Sequence, residues 1–109
     1  MKLHLANFNH QNIFTGYGDG YVLINQVRYE RNLIVLPELL IDEWPVSTLS
    51  QLEFRHFENI LAHSPEIIIL GTGNKHQFPD QTLLRQLTQS RIAIEIMDTR
   101  ACCRTYNIL

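Results

Sequence analysis

The chain is poor in cysteine, in net charge and in long apolar runs, and each shortage excludes a class of protein. Its two cysteines, Cys102 and Cys103, are neighbours. A disulfide between adjacent residues needs strained geometry and closes almost no loop. The spacing is neither the C-x-x-C of a redox pair nor that of a zinc finger, so both read as reduced, with at least one facing the core of a C-terminal helix. A net charge of -2, from 9 basic and 11 acidic residues, offers no basic footprint for nucleic acid. The longest apolar stretch, residues 33–41, is broken by Pro37 and Glu38 and falls short of the roughly 20 residues that span a bilayer, so no membrane span is expected. The start of the chain shows no apolar run followed by small residues, and a cytoplasmic location follows by default. The histidines His4, His10, His56, His63 and His76 are scattered outside any H-x-x-x-H or H-E-x-x-H arrangement, so neither a metal nor a cofactor is expected.

What is present suits one α/β domain over residues 1–109, long enough to bury roughly two-thirds of its unfolded surface. Residues 15–20 hold three glycines and read as a flexible turn before a first firm strand, Tyr21 to Ile24. A turn at Asn25-Gln26 and the alternation of Val27 and Tyr29 with Arg28 and Glu30 predict a β-meander. Leu33 to Leu36 is continuously apolar and reads as a strand entering the sheet interior. Ser50 to Glu53 has the form of a capping box, predicting a helix of about three turns with Leu52, Phe57, Ile60 and Leu61 on one face. His56 then lies at the edge of that stripe and His63 in the last turn.

The stretch from Pro65 to Pro79 organises the rest. Ile67 to Leu70 lacks polar alternation and stops at Gly71-Thr72-Gly73, which predicts a strand buried on both faces, central in a parallel sheet. Asp80 caps a helix carrying Leu83, Leu84 and Leu87, and Ile92, Ile94 and Ile96 mark the next strand. This strand, helix and strand form a right-handed parallel βαβ unit, and Leu33 to Leu36, the first helix and Ile67 to Leu70 are expected to form another. Asp98 or Thr99 caps a short helix from Ala101 to Tyr106.

In such a sheet the carboxyl ends of neighbouring strands lie side by side, so Gly71, Thr72, Gly73, Lys75 and His76 should meet Asp98, Thr99 and Arg100 around a shallow depression, with Lys75 or Arg100 at its rim. Freed backbone N–H groups, the helix start near Asp80 and those two cations could hold an anion. The plainer reading is that the glycines let the loop turn and Asp98 caps a helix, because neither a third glycine nor Gly-Lys-Ser/Thr follows. Cys102, Cys103, Thr72 and Thr99 have no base placed by sequence to activate them, and His76, the best available base, reads as a solvated loop residue. No catalytic residue is nominated.

The run Ile67 to Gly73, then Phe78-Pro79, then Ile94 to Leu109 with Met97-Asp98-Thr99-Arg100-Ala101 and Thr105-Tyr106-Asn107, resembles the Mth938-like (DUF498) family. The likeness runs from the Gly18-Asp19-Gly20 turn to Leu109. It implies a three-layer α/β fold with a mixed central sheet and no established enzymatic activity. The eukaryotic branch of that family acts by protein contacts during assembly of a respiratory membrane complex, so the resemblance implies a protein partner. The reading is therefore a protein-binding factor, more a binder than an enzyme. The alternative is a small-molecule or anion-binding protein or enzyme using the Gly71–His76 loop and Asp98–Arg100. A polar pocket at the strand ends would favour the alternative and an exposed apolar patch beside them the partner.

Overall fold

The computed structural model describes residues 11–109; the start of the chain, with His4 and His10, lies outside the described residues. Helices and strands mix in an α/β fold. Strands β1 (Phe14–Gly18), β2 (Tyr21–Ile24) and β3 (Val27–Tyr29) form an antiparallel meander, as the alternation predicts. Asn25 and Gln26 make its second turn with φ of 52° and 71°, the left-handed pair that a two-residue hairpin requires. Strand β1 occupies the segment read as a flexible turn. Its glycines serve packing there: the Tyr21 ring lies over Gly18 so closely that an added Cβ would stand 2.3 Å from it. Glycine composition alone signals a turn; the covering aromatic that turns it into a strand sits on the neighbouring strand.

Strands β4 (Ile34–Leu36) and β5 (Leu39–Ile41) form a second antiparallel sheet, with Ile34 opposite Ile41. The chain reverses at Pro37-Glu38, so β4 pairs with β5 and not with the Ile67 strand, and the expected second βαβ unit does not form. The predicted three-turn helix is also replaced. Two 3-10 turns, Leu49–Gln51 and Phe54–Phe57, lead into a single helical turn, α1 (Glu58–Leu61). The capping box sits at Glu53, not Ser50: the Glu53 N–H donates to His56 Nδ1 at 2.9 Å. Two non-local contacts explain the irregularity. Trp44 Nε1–H donates to the His56 carbonyl at 3.0 Å, and the Asn32 amide donates to the Val46 carbonyl, so these segments are held by side chains distant in sequence.

Strand β6 (Ile67–Gly71) and β7 (Ala93–Met97) are adjacent and parallel, from Ile67 opposite Ala93 to Gly71 opposite Met97, with α2 (Gln81–Gln89) between them in sequence. The expectation of a central strand buried on both faces does not hold. Burial alternates, with Ile68 and Leu70 buried and Ile67 38% exposed, and β7 is its one strand neighbour among the described residues. The strands are thus shared among three small sheets rather than one mixed sheet. Asp80 caps α2 by accepting from Thr82 N–H at 3.2 Å, and Leu83 and Leu87 point into the core. That core joins the regions, with Phe57 and Leu87 each 1% exposed beside Ile34, Val46, Leu52, Ile60, Ile68 and Leu70.

Helix α3 (Thr99–Ile108) closes the fold over β1 and β6. The side chain of Asn107 donates to Phe14 O at 2.7 Å and accepts from Phe14 N–H at 2.9 Å, acting as one more strand residue beside β1. One turn back, Arg104 donates to the Tyr17 hydroxyl at 2.9 Å, and Tyr106 meets Phe14 edge-on at 5.5 Å.

Candidate functional site: the strand-end loop

The carboxyl ends of β6 and β7 meet as the topology requires, because parallel neighbours end on the same side. Thr72 N–H donates to Met97 O at 2.9 Å and so extends the ladder by one bond. Gly73 and Thr99 then bond reciprocally: Gly73 N–H donates to Thr99 Oγ1, and Thr99 N–H donates to Gly73 O, each at 2.9 Å. Gly73 reaches this position with φ of 93°, which glycine adopts without a steric cost. Gly71 is needed for a different reason. A Cβ there would stand 3.2 Å from Cys102 Cβ and 3.3 Å from Thr99 Cα, where α3 crosses the strand end.

Thr72 organises the loop that follows. Its hydroxyl donates to Lys75 O at 2.7 Å and accepts from Gln77 N–H at 3.2 Å. His76 Nε2 lies 3.1 Å from Ile96 O, which places the ring as a donor on β7. Asp98 caps α3 by accepting from Ala101 N–H at 2.8 Å. Gly71, Thr72, Gly73, His76, Asp98 and Thr99 are therefore brought together.

Arg100 does not point to the rim of the loop. Arg100 turns to the meander, with Nη2 3.2 Å from Asp19 Oδ1, and its guanidinium lies 5.9 Å from the Tyr17 ring. Two of the donors expected to hold an anion are already used, since Thr72 N–H is bonded to Met97 O and Gly73 N–H to Thr99 Oγ1, and the Asp98 carboxylate occupies the start of α3. Two open hollows, of about 530 and 220 Å3, lie along Glu30–Asn32 with Glu43–Ser47 and along Arg28–Arg31 with Asp42, and neither includes a strand-end residue.

Both cysteines are free. Burial pushes the Cys102 thiol up to about 12, with Cys103 and Asp98 adding repulsion, and pushes Cys103 up to about 11. Neither is a thiolate at neutral pH, so neither is poised as a nucleophile.

The residue that sequence reasoning passed over is Phe78. It is 70% exposed, held edge-on against His76 with ring centroids 4.6 Å apart. The available signal was an aromatic isolated in a polar loop, outside every apolar periodicity, just before Pro79.

Fold and cluster together define a small α/β domain whose strand-end loop is locked by its own hydrogen bonds and presents an aromatic to solvent. The chain belongs to the family described as protein of unknown function (DUF498/DUF598), whose model matches residues 14–109. It is 28% identical over 97 residues to the 13 kDa major membrane protein of Francisella tularensis, covering 88% of this chain and 79% of that one. To NADH dehydrogenase (ubiquinone) 1 alpha subcomplex assembly factor 3 of Mus musculus it is 31% identical over 78 residues, covering 70% of this chain and 42% of the relative. The chain spans about half the length, or less, of the assembly-factor relatives it matches. Among solved structures, a Bordetella parapertussis protein superposes with a TM-score of 0.82 at 34% identity, over 91% of this chain and 85% of that one. A Mth938-like domain from Bordetella pertussis gives 0.68 at 28% identity, over 90% and 77%. Among the described residues no helix is long and apolar enough to cross a membrane.

Proposed function

We propose that the protein is a non-enzymatic, protein-binding factor that acts in assembly of a respiratory complex and meets its partner with the strand-end loop. The observation that carries this reading is Phe78, an aromatic 70% exposed on a loop whose frame is closed by internal hydrogen bonds. A rigid, exposed aromatic loses little entropy on docking, which suits it to anchor an interface. In this reading Gly71, Thr72, Gly73, Asp98 and Thr99 build the frame, while Lys75, His76 and Phe78 make contact and Arg100 ties the frame to the meander. The names of the assembly-factor relatives support the respiratory part. The protein would act from the cytoplasm on a membrane-bound complex.

The test uses the intact protein as bait in its native cell, beside the double variant Lys75→Glu, Phe78→Asp. Capture of respiratory-complex subunits by the natural chain, lost in the variant with unchanged thermal unfolding, is the expected result. Retention of the same subunits by the folded variant would remove the loop from the interface. Capture of no respiratory subunit by the natural chain would overturn the assembly role.

A further inference from the structure

We propose that the outer edge of β7 receives an extended segment of a partner protein, apolar at two alternate positions and basic at the one between them. The inference rests on the protein-binding reading and concerns the strand edge beside the Phe78 loop, where His76 already covers Ile96 O.

The two edges of the β6–β7 pair differ. Because Thr72 N–H donates to Met97 O and backbone groups alternate sides along a strand, Ala93, Glu95 and Met97 turn their N–H and C=O toward β6 while Ile94 and Ile96 turn theirs away. By the same alternation β6 turns Ile67, Ile69 and Gly71 outward, and there α3 lies across the strand, with Cys102 Sγ 3.9 Å from Ile69 O. On β7 the one outward group engaged is Ile96 O, beneath His76 Nε2. Ile94 N–H and C=O and Ile96 N–H have no hydrogen-bond partner among the described residues. A row of unpaired main-chain donors and acceptors is a template for another strand.

Charge decides which strand. The side chains of Ile94 and Ile96 pack toward the core, and Glu95, exposed between them on the other face, has no ion-pair partner among the described residues. A second copy pairing antiparallel about a two-fold axis at Glu95 would set that carboxylate against its own copy, which is unfavourable directly across a ladder. A partner strand with isoleucine or valine opposite Ile94 and Ile96, and lysine or arginine opposite Glu95, meets every feature of the edge.

The probe is a capped nonapeptide, Thr-Val-Thr-Ile-Lys-Ile-Thr-Val-Thr, compared with its glutamate-centred counterpart by backbone amide shifts and hydrogen exchange on the intact 109-residue chain. Expected are shifted, newly protected amides at Ile94 and Ile96 with the lysine peptide. The glutamate peptide should bind about 1.5- to 5-fold more weakly, and Glu95→Lys should reverse that preference. No change at Ile94 and Ile96 up to millimolar peptide would overturn the proposal, as would equal affinity for the two peptides. If the natural chain captures respiratory subunits while the peptide fails, the edge falls alone. If the peptide binds at Ile94 and Ile96 while no respiratory subunit is captured, the edge stands and the assembly reading falls.

Discussion

Residues 65–109 and residues 33–64 share one core but are built on different terms. In the first region each element starts and stops at local punctuation: Pro65 before β6, Asp80 capping α2, Arg91 with φ of 63° after it, and Asp98 capping α3. In the second the chain is shaped by distant side chains, Trp44 on the His56 carbonyl and Asn32 on the Val46 carbonyl. The difference teaches that a helix-like apolar spacing, as in Leu52 to Leu61, yields a helix only where no tertiary hydrogen bond claims a carbonyl of the segment.

The largest test of this comparison is in the core. Phe57 and Leu87 are equally buried at 1% exposure, one in each region. Phe57→Ala should cost about 3–5 kcal/mol and Leu87→Ala about 2–5 kcal/mol in denaturant unfolding. The two should still differ in kind. By hydrogen exchange, Phe57→Ala should strip protection from residues 49–61 before β6 and β7, because few regular backbone bonds hold that segment once its anchor is gone. Equal loss in both regions would break the comparison.

A smaller effect sharpens it. Asp80→Ala and Asp98→Ala should each cost about 1 kcal/mol, since each carboxylate caps a helix. Ser50→Ala, at a position marked equally well in sequence, should stay within about 0.5 kcal/mol because it caps nothing. A Ser50 cost matching the aspartates in thermal unfolding would restore the helix that the periodicity predicts.

The smallest effect at neutral pH concerns the thiols where α3 crosses β6. Their folded values, about 12 and about 11, lie above the ordinary value near 9, so the folded chain holds protons that the unfolded chain releases. The contribution is therefore fully present below pH 9 and is lost as pH rises through 11 and 12. Alkylation at pH 8 should be far slower in the native than in the denatured chain, and equal rates would show that α3 does not cover Cys102 as the structure has it.

Much of the candidate site was legible because its cause is local. Two glycines after Ile67–Leu70 and an aspartate after Ile92–Met97 mark strand ends, and parallel pairing of neighbouring strands brings those ends together. Arg100, expected at the strand-end depression, turns elsewhere, since a helical residue's direction depends on what lies beside the helix, and Asp19 is 81 residues away in sequence. Phe78 was hidden likewise, because exposure is a property of the assembled surface.

By itself, then, the amino-acid sequence determined the parallel strand–helix–strand unit, the meander turn at Asn25-Gln26 and the caps at Asp80 and Asp98. Each of these is decided within a few residues by backbone sterics or by a side chain bonding its own neighbourhood. Tertiary structure alone decided that glycine-rich β1 is a strand, that β4 folds back on β5, and that the His56 carbonyl is taken by a distant indole rather than by a continuous helix. In all three the deciding partner, the Tyr21 ring, the facing strand Leu39–Ile41, or Trp44 Nε1, comes from another segment, and its contribution exists only once the segments have met.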